Sequence, residues 1–473
     1  MDFPLFHLDM LGDRLLIAIV AIVHVIINHA LAVGFIPIVV LMEYRGYKES
    51  KISLSEGKKW DELAYKLMFF AFIITTSVGA VTGVGIWFSA ALVSPASIGS
   101  LIRVFFGAWF TEWIIFVLEV VFIMIYFLTW KKTKDNPVKK WNHIKAGGAL
   151  TIFSWLTMAI IVGILGFMMD TGDWNTSKTF IDGFTNPIYI PQLFFRTPMA
   201  FVMAGSIVLF MTIVYTKNDL EFRGKVLKNI ALWMFLWTPH VFAAGMYYYY
   251  KIPNLMVGNL PVAVGTQRFQ NWYDTILYFL FACIIVSMLI AIWAALKPRR
   301  ISKWAAFITI IITFLTIGTF ERIREFIRKP YVISNYMYSN LFRVEDYDKY
   351  KVDGILKHAV YTSTPEITEA NRFEAGENVF GLACSRCHTI GGVNSVVTKF
   401  QNLLTPNGGE LPKDKIVQYI PVMHIGRYYM PPFPGNEEEI NVLAEYIIAM
   451  QKNPQPFKGV EDNGVIVSTR QMK

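Results

Sequence analysis

The sequence predicts an all-α fold: an integral membrane bundle of eight transmembrane helices, followed by a smaller C-terminal domain. Hydrophobic residues make up 54% of the 473 residues and charged residues only 17%, whereas about a quarter of the residues in soluble domains are charged. A Cys-x-x-Cys-His motif, formed by Cys384, Cys387 and His388, lies beyond the last apolar stretch. The net charge of +9 comes from short connections between apolar stretches. Membrane topology therefore explains it, and no nucleic-acid partner is expected.

Eight apolar stretches are long enough to cross a bilayer, which takes about 20 helical residues. They cover residues 15–42, 63–93, 101–130, 147–169, 198–215, 230–250, 274–296 and 304–322. Lys and Arg number nineteen in the odd-numbered connections and five in or beside the even-numbered ones. Because cytoplasmic connections carry the basic excess, both termini are predicted to lie outside the cytoplasm. Residues 1–14 lack a basic region and are not expected to form a cleaved signal peptide.

The C-terminal motif has the spacing at which c-type haem is attached. The thiols of Cys384 and Cys387 would add to the haem vinyl groups, and His388 would ligate the iron. Met430 lies in a Met-Pro-Pro-Phe sequence some forty residues later. As the second axial ligand it would complete a His/Met pair, which raises the reduction potential and suits electron transfer.

Two alternatives apply to this motif. Met423 is the rival axial ligand, but the prolines behind Met430 would stiffen a ligand loop, so Met430 is preferred. A zinc or redox site could also use two cysteines and a histidine. Zinc would need further Cys or His ligands, and this region offers only His358 and His424.

The sequence around the motif resembles a class I cytochrome c. A helix pattern at 371–383 precedes the motif, and an acid-started amphipathic run at 437–450 follows the methionine loop. The resemblance implies one covalent haem c. Because c-type haem is attached on the periplasmic side of a bacterial membrane, we expect an inner-membrane protein with both termini and this domain in the periplasm. The predicted division is a membrane domain at 1–330, a connector at 331–364, a cytochrome c domain at 365–455 and a tail at 456–473.

Three histidines lie within the apolar stretches: His24 and His29 in the first and His240 in the sixth. Ionisable groups in a bilayer cost about 2.5–3.5 kcal/mol or more each, so they are functional by default. His24 and His29 point about 140° apart on a helix and cannot ligate one iron together. His24 is the candidate haem ligand. Hydrogen bonding between helices is the alternative role. It is favoured for His29, whereas for His240 the two roles are equally compatible with the sequence.

Two acids in the third stretch, Glu112 and Glu119, are seven residues apart and so lie on one helix face. Paired carboxylates there indicate a proton path or the neighbourhood of a cationic metal centre. A structural pair held by nearby polar groups is the alternative.

The end of the eighth stretch carries two acids and several bases. Spacings of four and three place Glu321, Glu325 and Arg328 on one face. Arginines at the outer end of a span suit haem propionates, because guanidinium binds carboxylate bidentately. Arg324 and Arg328 are therefore candidate propionate ligands. A basic cluster that snorkels toward the interface is the alternative, and the two glutamates argue against it.

Taken together, these residues resemble subunit I of the cytochrome bd oxygen reductases over about residues 1–335. The segment from Arg14 to His24 resembles the family's first helix, in which an arginine stands ten residues before a histidine. In the family, that histidine ligates a high-spin haem. Residues 325–331, Glu-Phe-Ile-Arg-Lys-Pro-Tyr, resemble the family's Glu-Tyr-Gly-Arg-Gln-Pro-Trp segment. There the glutamate ligates or neighbours a second high-spin haem, and the arginine serves the propionates. The resemblance implies that His24 and Glu325 are the ligands of a pair of haems, of type b, d or both.

The same resemblance implies a proton route past Glu112 and Glu119, although the family spacing is one residue longer. Three other features depart from the family. The positions of its low-spin haem ligands hold Arg196 and Leu280, the quinol-binding loop is replaced by the short segment 251–272, and a cytochrome c domain replaces the last helix. One explanation covers all three departures: the route from quinol has been lost, and a tethered cytochrome c delivers the electrons.

The sequence thus predicts a membrane-bound terminal oxidase that takes electrons from a cytochrome c and reduces oxygen at a high-spin haem pair. The expected partners are a periplasmic cytochrome c or other c-haem donor and a second membrane subunit, either of the bd type or a homologous copy. One alternative is an electron-relay subunit without oxygen chemistry, in which His29 and His240 could serve as haem ligands. A structural subunit of a respiratory supercomplex, with vestigial haem pockets, is a weaker alternative.

Overall fold

The protein is mostly helical in this computed structural model, which describes residues 6–133, 136–360 and 362–454. The predicted tail at 456–473 lies outside the described residues. Eight helices in the described ranges are long and apolar enough to cross a membrane, as predicted. They are Asp13–Glu49, Leu54–Val93, Pro95–Lys132, Pro137–Met169, Tyr189–Tyr215, Leu220–Tyr250, Asn254–Leu296 and Lys303–Ile327.

The membrane helices run beyond the apolar stretches that predict them, because polar capping residues begin them further out. Ser53 accepts a hydrogen bond from the backbone N–H of Glu56 and starts the second helix. Asn136 and Asp219 cap the fourth and sixth helices in the same way. The seventh helix is interrupted at Thr266, and its long segment is Tyr273–Leu296.

Two compact units make up the chain. One holds the described residues of Met1–Ala21, Gly85–Arg103 and Phe326–Lys473, and the other holds Ile22–Val84 and Val104–Glu325. The second unit contains most of the membrane-helix length, and its apolar core includes Phe35, Leu67 and Met203.

The first helix contains a π-helical segment, Asn28–Phe35, that packs against the fifth helix. A Cβ placed on Gly34 would overlap the backbone carbonyl of Ala200, so only glycine permits this approach. The fifth helix is the most buried of the eight, whereas most of the second and third helices is exposed, as lipid-facing helices would be.

The other unit contains a helical C-terminal domain. An antiparallel strand pair, Tyr331–Ile333 and Met337–Tyr338, precedes it. Its helices are Tyr347–Asp353, Arg372–Ala383, Val396–Leu404, Lys413–Gly426 and Glu437–Lys452. Gly376 lies where Arg372–Ala383 crosses Glu437–Lys452, and a Cβ there would overlap the carbonyl of Val442. The helices predicted at 371–383 and 437–450 are present with nearly these bounds.

The N-terminal segment packs on the C-terminal domain within the same unit. The carboxylate of Asp9 accepts hydrogen bonds from the backbone N–H groups of Ile390 and Gly391, and the carbonyl of Met10 accepts one from Val393. Because these segments touch, they lie on the same side of the membrane, which agrees with an even number of crossings.

Candidate haem-binding sites

The Cys-x-x-Cys-His motif forms a tight turn directly after the helix Arg372–Ala383. The backbone N–H groups of Cys387 and His388 both donate to the carbonyl of Cys384, at 3.0 and 2.9 Å. Within the described residues, no three His, Cys, Asp or Glu side chains are grouped as a metal-ion site. The geometry therefore does not favour the zinc alternative.

The imidazole of His388 is oriented as an iron ligand requires. Its Nδ1 lies 3.0 Å from the carbonyl oxygen of Asn394, to which it donates, so Nε2 keeps the lone pair that would bind iron. Such a hydrogen bond on the opposite ring nitrogen is usual for metal-binding histidines. Burial lowers the pKa of His388 to about 4, which keeps the ring in its neutral, ligating form. The residues fit a c-type haem.

The loop at Met430 follows the helix Lys413–Gly426. The backbone N–H of Met430 donates to Arg427, and its carbonyl oxygen lies 2.5 Å from Nδ1 of His424. The hydroxyl of Tyr347 lies 3.2 Å from the carbonyl oxygen of Pro432 in the same loop. Met423 packs against the apolar core of the domain. This packing leaves the Met430 loop as the better source of an axial ligand.

His24, in the first membrane helix, contacts the second membrane helix. Its Nδ1 lies 3.2 Å from Oγ1 of Thr82, whose own hydroxyl can donate to the carbonyl of Val78 at 2.7 Å. Thr82 can then accept from His24 Nδ1–H, which leaves Nε2 with its lone pair. A Cβ on Gly83 would lie 3.1 Å from Cε1 of His24, so glycine gives the ring room. These contacts fit a haem ligand at His24.

The predicted acid pair, Glu112 and Glu119, lies on the third helix. Side chains of the fourth helix form hydrogen bonds with Glu119. The carboxylate of Glu119 accepts hydrogen bonds from the hydroxyls of Ser154 and Thr157, at 2.7 and 3.2 Å. Glu112 is half-buried two turns earlier. Hydroxyl groups beside a carboxylate can pass protons, so the contacts agree with a proton path, and they also fit the structural alternative.

A buried ionic cluster joins the fifth and eighth helices. Arg196 Nη2 lies 2.5 Å from Glu321 Oε1, and Arg324 Nε lies 3.1 Å from Glu321 Oε2. Arg196 Nη1 also donates to Nε2 of His29 at 3.0 Å. His29 is thereby engaged as an acceptor, so the structure does not favour it as an iron ligand.

The remaining predicted residues have separate surroundings. Glu325 is half-buried near the end of the eighth helix. Arg328 is buried and donates to the backbone carbonyl of Val332. His240 is exposed, and its Nδ1 lies 2.8 Å from the carbonyl of Leu236 in its own helix. Leu280, where the resemblance would require a methionine, is partly buried.

One buried polar cluster involves residues for which the sequence predicts no site. Glu43 accepts hydrogen bonds from Tyr126 and His143 and pairs with Lys140, each at 2.6 Å. Lys140 also pairs with Asp61. Lys140 is one of the basic residues between the third and fourth apolar stretches, yet its side chain is buried. Tyr126 lies seven residues after Glu119 on the same helix. This spacing is the feature of the sequence from which a polar contact at Tyr126 could have been predicted.

Comparison with known proteins agrees with this architecture. The family described as cytochrome c oxidase, cbb3-type, subunit III matches residues 371–447, which include the Cys-x-x-Cys-His motif. A search of curated proteins finds no match. Among solved structures, the chain is similar to the bd oxidase from Geobacillus thermodenitrificans, with 14% sequence identity and a TM-score of 0.52. The similarity covers 70% of this chain and 90% of that chain. At this identity the likeness shows the fold.

The fold and the motif together define a class: a multi-pass membrane protein with a bd oxidase-like helical fold and a C-terminal cytochrome c domain. The cytochrome c domain implies a haem c.

Proposed function

We propose that this protein is the catalytic subunit of a bd-type terminal oxidase that takes electrons from a cytochrome c. The observation that carries the proposal is the combination, in one chain, of a bd oxidase-like membrane fold with a cytochrome c domain. Cys384, Cys387, His388 and Met430 would hold a c haem, which would supply one-electron transfer between a periplasmic donor and the membrane part. The cytochrome c domain is periplasmic in this proposal.

The contacts of Arg196 support a donor other than quinol. By local match to the bd family, this position would hold a histidine ligand of the low-spin haem that receives electrons from quinol. Here this position holds the guanidinium of Arg196, which pairs with Glu321 and donates a hydrogen bond to His29. A guanidinium remains protonated and has no lone pair for iron. Electrons arriving through a tethered cytochrome c would bypass this position.

The membrane haem pair, of type b, d or both, would supply electrons to oxygen when bound. His24 would hold one iron through the nitrogen that Thr82 leaves free, and the contact with Thr82 orients the His24 ring. Glu325 would ligate or neighbour the second haem. One oxygen molecule takes up four electrons and four protons and yields two waters. Glu119 and Glu112 pass the protons, with Ser154 and Thr157 holding the Glu119 carboxylate in place.

A second candidate is an electron-relay subunit without oxygen chemistry, and the replacement of the family's low-spin ligands by Arg196 and Leu280 favours it. A membrane partner would then accept the electrons, and b haems, if bound, would be six-coordinate.

Oxygen uptake by the purified protein, with two donors, tests the proposal. Reduced cytochrome c should support uptake, and a reduced quinol should not. The variant H388A, which removes the c-haem ligand, should abolish uptake from cytochrome c. Uptake from quinol that persists in H388A would contradict a cytochrome c-linked oxidase. No uptake with either donor, in protein that retains its haem c, would favour the relay.

A further inference from the structure

We propose that Arg196, together with Arg324, binds a propionate carboxylate of a membrane haem. The proposal rests on the proposed function, because it requires a haem in the membrane part. It gives Arg196 a binding role where the sequence resemblance shows only the loss of an iron ligand.

One carboxylate holds the two guanidinium groups side by side. Glu321 Oε1 pairs with Arg196 and Glu321 Oε2 with Arg324, at 2.5 and 3.1 Å. The side chains of Arg196, Glu321 and Arg324 are only 1%, 7% and 11% exposed. The two guanidinium groups are therefore close together and shielded from water.

Each guanidinium retains a buried donor that is not used. Arg196 Nε and Arg324 Nη1 have no hydrogen-bond partner among the described residues. A buried charged donor without a partner is unfavourable, so buried arginines normally use their whole donor fork. Glu321 is already shared between both arginines, and the charge of Glu325 also acts on Arg324. The unused N–H groups of Arg196 and Arg324 could therefore be satisfied by additional acceptor oxygens.

A haem propionate supplies acceptor oxygens of this kind. Guanidinium groups match carboxylates in geometry and form strong charge-assisted hydrogen bonds with them. The arginines come from two different helices, so a carboxylate between them would also fasten the fifth helix to the eighth. A small inorganic anion has the same chemistry, and the experiment separates the two sources.

The experiment compares R196Q, E321Q and the double variant R196Q/E321Q with the unmodified protein. Non-covalent haem is measured per covalent haem c by the pyridine haemochrome spectrum, so the c haem serves as an internal standard. Haem retention is measured by transfer to apomyoglobin. A lost charge-assisted hydrogen bond should weaken retention about tenfold or more in R196Q. E321Q should retain haem, and the double variant should lose it as R196Q does.

Control variants and opposing outcomes make the result decisive. R196K, which keeps the charge, should recover part of the retention. R223Q removes another buried arginine, one that donates to the backbone near Thr216, and should leave retention unchanged. Equal haem loss in both single variants, with recovery in the double variant, would mean a structural ion pair and overturn the proposal. Unchanged haem retention in R196Q would also overturn the proposal. If chloride or phosphate then stabilised the unmodified protein but not R196Q, the site would bind a small anion and not a haem propionate. Absence of non-covalent haem from the unmodified protein would instead contradict the proposed function.

Discussion

The carboxylate oxygen Oδ1 of Asp9 lies 2.5 Å from the backbone nitrogen of Ile390, although the two residues are 381 positions apart. Ile390 follows His388, the last residue of the Cys-x-x-Cys-His motif, by two positions. The other carboxylate oxygen accepts from Gly391 at 3.2 Å, and Asp13 pairs with Arg386 inside the Cys-x-x-Cys-His motif at 3.7 Å. The N-terminal segment therefore packs directly on the Cys-x-x-Cys-His motif and the residues that follow it.

Replacing Asp9 by alanine should destabilise the cytochrome c domain. The change removes the acceptors of two backbone N–H groups, and hydrogen bonds to charged groups contribute about 1.5–3 kcal/mol each. Partial exposure of Asp9 places the expected loss in unfolding free energy at about 2 kcal/mol. Denaturant unfolding followed by Soret absorbance measures it. D414A, which removes an exposed acid on the helix Lys413–Gly426, is the control, and an equal effect of both variants would refute the role of Asp9.

His7 should make this contact dependent on pH. Burial favours the neutral ring, but hydrogen bonds to Asp13 and Asp9 outweigh it and raise the pKa of His7 above 6.5. Arg386 also pairs with Asp13 and so adds a positive charge near this site. The stability that protonated His7 contributes is fully present below about pH 6.5 and is lost as the pH rises through the raised pKa. The difference in unfolding free energy between the unmodified protein and H7Q should therefore shrink over the pH interval above about 6.5 in which His7 loses its proton. A difference that stays constant over this interval would count against protonation of His7.

Replacing His24 by alanine should abolish oxygen uptake and leave the c-haem spectrum intact, because His24 ligates a membrane haem in the proposed function. Uptake and the reduced visible spectrum measure the two effects. H240A changes an exposed histidine in the sixth helix and is the matched control. Unchanged oxygen uptake in H24A would contradict the assignment of His24 as a haem ligand.

The variant K140M should destabilise the membrane part. Lys140 pairs with both Glu43 and Asp61 in a buried site, so its loss leaves two buried carboxylates facing each other. Breaking a buried ion pair from one side costs about 3–5 kcal/mol. Thermal unfolding in detergent should show a clearly lower Tm. E62Q alters an exposed acid on the second helix and should leave Tm unchanged; a similar Tm for both variants would show that the cluster contributes little.

The sequence predicts the eight helices and the haem attachment motif because both depend on local patterns. A long apolar stretch must form a helix in lipid, and covalent attachment fixes the spacing of Cys384, Cys387 and His388. Contacts between distant segments leave no such pattern. The pairing of Arg196 with Glu321 depends on which helices pack together, and periodicity along one helix does not specify that.

The same limit applies to Lys140 and Asp9. Lys140 lies between the third and fourth apolar stretches, where the sequence predicts a connection. The fourth helix, Pro137–Met169, includes it and brings it beside Glu43. Asp9 lies in a short polar segment without a motif, and its role depends on the folded position of Ile390. Burial of a charge requires a partner, but the sequence alone does not identify the partner.

The most direct test of an oxygen-reactive membrane haem is a difference spectrum of the purified protein, reduced plus CO minus reduced. CO binds ferrous haem only where a coordination position is open, and a haem c ligated by both His388 and Met430, as proposed, would have none. The account predicts a clear b- or d-type CO signal, which should disappear in H24A while the c-haem bands remain. Absence of a CO signal from protein with its haem c intact would contradict the oxidase and favour an electron relay.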